Sequence, residues 1–300
     1  MESTFPQTAT TALINISLAW MVGVLASKFW LMKQTSGWQT TVVEKLSTAM
    51  LVSLSACIAG IFLSLWTESA MMGDVAWLNA GPAFVQMLTA THYGHAGAAA
   101  LAFLVIALLV HLRRNGQGVS KTYLVSLTVL LLLVAAARVT IGHAYEHGPL
   151  SVAVMVEWLH LLLMSIWAGV VFVAAWVVLP SVRASELVAT RERAAYLTSM
   201  SNWAAAALAG ILATGAYNAY RVLGNPRQLI EVDYGQVLTF KLCLVVIAIA
   251  LGGFNKFVGL PAATSQRGLR TVIVILRVES FVLLLVLMAA AVLTSSAPPG

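Results

Sequence analysis

Charged side chains make up only 9% of this 300-residue sequence, whereas a soluble domain carries about 25%. Too little ionised surface remains for water to wet, which excludes a soluble globular domain. Acidic residues are the scarcer sign, eleven Asp and Glu against seventeen Lys and Arg, for a net charge of +6. In so apolar a chain that excess does not call for nucleic acid, and no nucleic-acid partner is expected; such cations mark cytoplasmic loops. Cysteine is almost absent. Cys57 and Cys243 both sit in apolar runs and form no C-x-x-C pair, so neither a disulfide framework nor a thiolate metal cluster is indicated. No G-x-x-x-x-G-K-[ST] phosphate loop occurs, which removes an ATP-driven pump of that type.

What is present is hydrophobic sequence: 60% of residues are apolar and the mean hydropathy is +0.89. A bilayer crossing needs about 20 mostly apolar residues in a helix, because lipid offers the backbone no hydrogen-bond partners. Such stretches lie near 10–32, 46–66, 90–112, 122–143, 152–179, 196–222, 236–257 and 272–294. The fold class is therefore all-α, a polytopic membrane protein of about eight transmembrane helices with membrane lipid as its solvent. Turn signals at Asn115-Gly116, Gly148-Pro149, Pro180, Asn225-Pro226 and Pro261 support several span ends. The intervening stretch 67–89, with Trp77, Gly81 and Pro82, is expected to lie along the interface. Residues 1–7 lack a basic leader pattern, so the first apolar run reads as a permanent span.

Cation placement sets the orientation. Loops 1–2, 3–4, 5–6 and 7–8, with the adjoining helix ends, hold thirteen of the seventeen: Lys28, Lys33, Lys45, Arg113, Arg114, Lys121, Arg183, Arg191, Arg193, Lys256, Arg267, Arg270 and Arg277. The positive-inside rule then places both termini on the periplasmic side. Trp20-Met-Val-Gly23 in the first span echoes Trp167-Ala-Gly169 in the fifth. Two parallel four-helix halves, 1–145 and 146–300, are the domain division this suggests.

Topology gathers the histidines. His92 and His95 open the third span, His143 and His147 close the fourth, and His160 lies about two turns into the fifth, all toward the periplasmic face; only His111 falls at the other end. Spacings of i, i+3 and i, i+4 place each pair on one helix face. Imidazoles suit copper, zinc, iron and nickel, with copper(II) highest in affinity, and the thioethers of Met155 and Met164 favour copper(I). Glu157, three residues before His160, adds a carboxylate. Arg138 is expected to pair with Glu157, since ionisable groups inside a membrane face the interior and find partners. Each of these residues alone also fits a bland role: a hydrogen-bonded interfacial histidine, a packing methionine, a structural ion pair.

The stretch from Gly142-His143-Ala144 onward resembles the bacterial copper resistance protein D (CopD/PcoD) family. The residues that carry the likeness are His160 with Trp167-Ala-Gly169, Gly215-x-Tyr217-Asn218, Tyr234-Gly235-x-x-Leu238-x-x-Lys241, Asn255, Arg277-x-Glu279 and Leu293-Thr294 with Pro298-Pro299. In the first half the likeness rests on His92-x-x-His95 and the segment Arg138 to His143. The resemblance implies a multi-pass protein of the bacterial inner (cytoplasmic) membrane that handles copper, in transport, homeostasis and resistance. It implies inward movement alongside a periplasmic CopC-like chaperone, expected here as a separate chain, with His143 and His160 as carried-over site residues.

Three readings follow. The first is a non-enzymatic copper transporter with a metal site of His92, His95, His143, His147 and His160, supported by Met155, Glu157 and Arg138. Because ligand imidazoles must be neutral, its affinity falls as pH drops through about 6.5. The second is a membrane cytochrome with haem b between histidines of neighbouring helices. The third is a subunit on which the chaperone docks.

Overall fold

The computed structural model describes residues 5–32, 37–114, 119–141, 148, 151–181, 187–223, 225, 227–263 and 265–296, the side chains of 187–190 excepted. The described residues form helices and short turns. In chain order these are α1 (Phe5–Trp30), α2 (Gly37–Met72), a 3₁₀ turn (Trp77–Asn79), α3 (Gly81–Ala90), α4 (His92–Arg113) and α5 (Lys121–Val139). Then come α6 (Val152–Ser181), α7 (Leu187–Val222), α8 (Gln228–Glu231), α9 (Asp233–Ala262) and α10 (Gln266–Ser295). Seven of them, all but α3, α7 and α8, are long and apolar enough to cross a membrane. This is an all-α polytopic membrane protein. Large apolar side chains such as Val52, Phe62, Leu109, Val125, Val246 and Phe257 remain exposed; so much apolar surface suits lipid and would drive aggregation in water.

Helix starts follow local chemistry. Thr91, Ser120, Ser151 and Ser265 each accept the backbone N–H three residues on, closing one of the orphan donors of α4, α5, α6 and α10. Sequence reading extended the fourth span to 143, but α5 stops at Val139 with Thr140 as its cap. The stretch after α2 runs through a turn at Asp74, φ 47°, into the 3₁₀ turn and α3. There the Trp66 indole donates to the carbonyl of Trp77 at 2.9 Å.

Side-chain contacts sort the helix ends into two faces. On one, Lys28 of α1 meets Ser47 of α2 and Tyr123 of α5, and His111 of α4 joins them. Lys45 of α2 donates to Ser181 of α6 at 2.9 Å, and Trp30 of α1 packs edge-on against Tyr196 of α7. On the other face Gln7 of α1 donates to Glu68 of α2, His92 of α4 meets Thr140 after α5, and Asn218 of α7 donates to Glu157 of α6. Neighbours in sequence thus run up and down between the faces, α7 included.

The echo between spans one and five has a physical basis. Gly23 of α1 lies directly on the backbone of Gly169 in α6, and Gly169 lies on the carbonyl of Ala19; a side-chain carbon at either would overlap the facing helix. Small residues let two buried helices approach at backbone distance, which is how membrane helices gain contact without a hydrophobic driving force. Trp20 stacks on Phe172 beside this crossing, centroids 5.8 Å apart. Ala19, Met21 and Val24 of α1 and Ala168, Val170 and Val173 of α6 are fully buried around it.

Candidate functional site

Five histidines define the expected site, and the structure brings only part of it into view. His143 and His147 lie outside the described residues. His92 and His95 are exposed at the start of α4. The Nε2 of His92 meets the carbonyl of Thr140 at 3.2 Å, and that of His95 meets the carbonyl of Thr89 at 3.3 Å. A carbonyl only accepts, so both Nε2 atoms carry the proton and each ring's lone pair resides on Nδ1. The two rings therefore lean toward different neighbours, one to the end of α5 and one back to α3. Among the described residues no three of His, Cys, Asp and Glu gather closely enough to hold a metal ion.

His160 is different. It is half-buried in α6, and its Nδ1 lies 2.8 Å from Thr214 Oγ1 on α7. Thr214 donates its own proton to the Gly210 carbonyl at 2.7 Å, so it receives the proton of His160 Nδ1–H. The ring is thereby held in one tautomer, with an unprotonated Nε2 that has no hydrogen-bond partner among the described residues. A neutral imidazole whose other nitrogen is anchored is how proteins present a metal ligand. Gly215 lies beside the ring: a Cβ there would meet Cε1 at 3.4 Å, an ordinary van der Waals contact.

Charged groups surround this ring. Glu157, one turn earlier on α6, accepts from Asn218 Nδ2 at 2.7 Å and feels the charges of Lys241 on α9 and Arg221 on α7. Lys241 also acts on His160, and Tyr234 faces Glu157. The cluster thus joins α6, α7 and α9. An ionisable residue within a membrane span is by default a candidate functional position.

Two supporting residues fall elsewhere. The expected Arg138–Glu157 pair does not form. Arg138 Nη2 donates to Thr11 of α1 at 3.4 Å, and its guanidinium lines a small cavity with Tyr93, Ser64 and Gly97. The reason is direction: Arg138 faces α1, while Glu157 faces α7 and α9, where Asn218 and Lys241 already serve it. Met155 points outward and is 62% exposed, so it does not join His160; Met164 is buried in the core. Thr214, which sequence reasoning missed, is the residue that orients His160. Its only sequence signal is adjacency to Gly215-x-Tyr217-Asn218.

The remaining motif residues have structural work. The Trp167 indole hydrogen-bonds the buried Glu279 carboxyl, tying α6 to α10. The Arg277 guanidinium lies 4.8 Å over the Trp176 ring. Gly235, third residue of α9, rests on the backbone of Gln228, which explains the Tyr234-Gly235 pair as an elbow between α8 and α9.

Residues 194–293, from the start of α7 nearly to the end of α10, match the model of the family Copper resistance protein D (CopD). Over that stretch the chain is similar to the CopD family. Thr214, Asn218, Lys241 and Glu279 all lie inside the match. The chain is also 28% identical over 204 residues to the "Copper transport protein CutJ" of Bacillus subtilis (strain 168), covering 67% of this chain and 36% of that protein. The chain therefore spans about a third of the length of that curated relative. No solved structure matches. The chain is thus an all-α, multi-pass membrane protein that is similar, over its last third, to a copper resistance family.

Proposed function

We propose that this protein carries copper inward across the bacterial cytoplasmic membrane, with α7 as the eighth crossing and both termini periplasmic. His92, His95, His143 and His147 form the capture region, and His160 Nε2 is the first ligand inside the bundle. Glu157 supplies the negative charge that a copper ion at His160 requires, against Lys241 and Arg221. Copper arrives from a separate CopC-like chaperone, and the chain acts as a carrier rather than an enzyme. The observation that carries this reading is the His160–Thr214 hydrogen bond: it leaves one unprotonated imidazole nitrogen one helical turn from Glu157, on a ring in contact with a segment matched by a copper family.

The test is copper accumulation in proteoliposomes containing the purified protein, with metal content and absorption spectrum measured on the same sample. Copper accumulates with the intact chain and does not with His160→Ala; the protein shows no Soret band. Equal uptake by His160→Ala would remove the site, and a reducible Soret band would transfer the histidines to haem.

A further inference from the structure

Deeper in the bundle than His160 sits a second acidic group, which copper capture does not use. Glu279 lies near the middle of α10, and its partner Trp167 near the middle of α6. The carboxyl is 2% exposed and the indole 3%. His160 and Trp167 stand at i, i+7, so they share one face of α6, about 10 Å apart along its axis. On α9 the carboxyl lies over Gly252, where a Cβ would crowd Oε1 at 3.1 Å.

What this carboxyl lacks is a counter-charge. The Trp167 indole is its one hydrogen-bond partner among the described residues. Arg277 turns away over the Trp176 ring, and the Ser280 hydroxyl is taken up by Trp176 and the Arg277 carbonyl. The helices packed against α10 bring no charge to it either. Lys28 of α1 serves Ser47 and Tyr123, Glu157 and His160 of α6 bond to α7, and Lys241 of α9 acts on those two. No charged side chain, Lys256 of α9 included, acts on Glu279. Leaving a buried carboxylate with one neutral donor and no cation is costly. A hard metal ion does not fill the gap, because it takes about six or more oxygen ligands. Along this seam the one buried side-chain oxygen without a donor is Asn255 Oδ1, about a turn beyond Gly252, and among the described residues no three metal-binding groups gather. A proton neutralises the carboxyl with neither a ligand shell nor a cavity. Asn255 Oδ1, 2% exposed and directed at Gly259, is an acceptor on the side from which that proton would come, toward the face of Lys28 and Lys45.

We propose that Glu279 carries the proton that leaves as copper enters, so that transport is a copper–proton exchange; this rests on the copper-carrier reading above. The step balances in charge. Glu279 gives its proton to the periplasmic side as one copper(I) ion brings the same single charge into the bundle. When the ion departs inward, the carboxylate takes a proton from the cytoplasmic side. The experiment uses the full chain in proteoliposomes with a pH dye inside, the membrane potential clamped at zero with potassium and valinomycin, and ascorbate-reduced copper(I) outside. With the interior about one pH unit more acid, one-for-one exchange accumulates copper about tenfold, and the interior turns alkaline as copper enters. Glu279→Gln keeps an acceptor for the indole but holds no exchangeable proton. It should bind copper as the parent does in detergent, ignore the gradient and leave the interior pH unchanged. In the infrared, the parent should show a carboxylic-acid C=O band at neutral pH that fades on loading with copper(I) and is missing from Glu279→Gln; the parent alone supplies the first two results should the variant not fold. Copper equilibrating in the parent without proton movement, gradient-driven accumulation retained in Glu279→Gln, or a parent without that band would each overturn the exchange and leave the carrier standing. No copper entry into parent vesicles under any gradient would overturn the carrier, and the exchange with it.

Discussion

At the residue scale the decisive contact is a single hydroxyl. Thr214 fixes which nitrogen of His160 carries the proton, so under the proposed function its removal acts on copper binding without touching the ion. Thr214→Val keeps shape and loses the acceptor; the freed ring then turns and exchanges tautomers. Losses from such supporting bonds run about 10–100-fold in metal affinity. We expect that drop in competition with a coloured copper chelator, recovery in Thr214→Ser, and a larger loss in His160→Ala. Thr214→Val binding copper as tightly as the parent would disconnect the hydroxyl from the site. His160 and Glu157 stand out in the sequence because an ionisable residue inside a span must be explained. Thr214 does not, since a threonine in a helix ordinarily bonds its own backbone, as this one also does. Arg138 was misassigned for a related reason: periodicity ranks residues by depth but does not say which neighbour each face meets.

Among the elements, the α1–α6 crossing governs how the bundle closes. At Gly23 and Gly169 the facing backbone occupies the space a side chain would need. Gly169→Val must push two buried helices apart, and overpacking of this kind costs about 1–3 kcal/mol or more. Thermal unfolding in detergent should show a clearly lowered midpoint, with Gly23→Val behaving alike. Gly253 is the control: nothing lies within 4 Å of a Cβ there. Gly253→Ala should leave the midpoint unchanged or raise it, since alanine favours a helix over glycine by up to about 1 kcal/mol. If Gly169→Val matched Gly253→Ala, close approach would not be what holds α1 to α6. The sequence offered this crossing only as two short Trp/Gly echoes. Which glycine of a membrane helix bears a crossing is a property of the partner's position, and one chain's pattern does not contain it.

On the scale of the whole molecule, the up-and-down order was readable because apolar runs and cation clusters alternate, both consequences of placing a chain in lipid. α7 is where that reading is thinnest. Its 36 residues are rich in alanine and include Asn202, Thr214 and Asn218, and it does not reach the apolarity of the seven other long helices. Its polar positions are spent on α6: Thr214 receives His160 and Asn218 serves Glu157. A helix that meets a polar partner can cross lipid with fewer apolar residues, because those groups never face the hydrocarbon. Trp30 and Tyr196 join its start to the end of α1, and its other end reaches the start of α6, so it covers the same span as its neighbours. Single cysteines decide the matter in a background lacking Cys57 and Cys243. With α7 across the membrane, an impermeant thiol reagent labels Arg191→Cys only in inside-out vesicles and Tyr220→Cys only in right-side-out ones. Lys45→Cys follows the first and Leu78→Cys the second, which fixes the sidedness of both faces. Labelling of Arg191→Cys and Tyr220→Cys from one side would instead lay α7 along the membrane surface. His160 would then lose the partner that holds it inside the bundle.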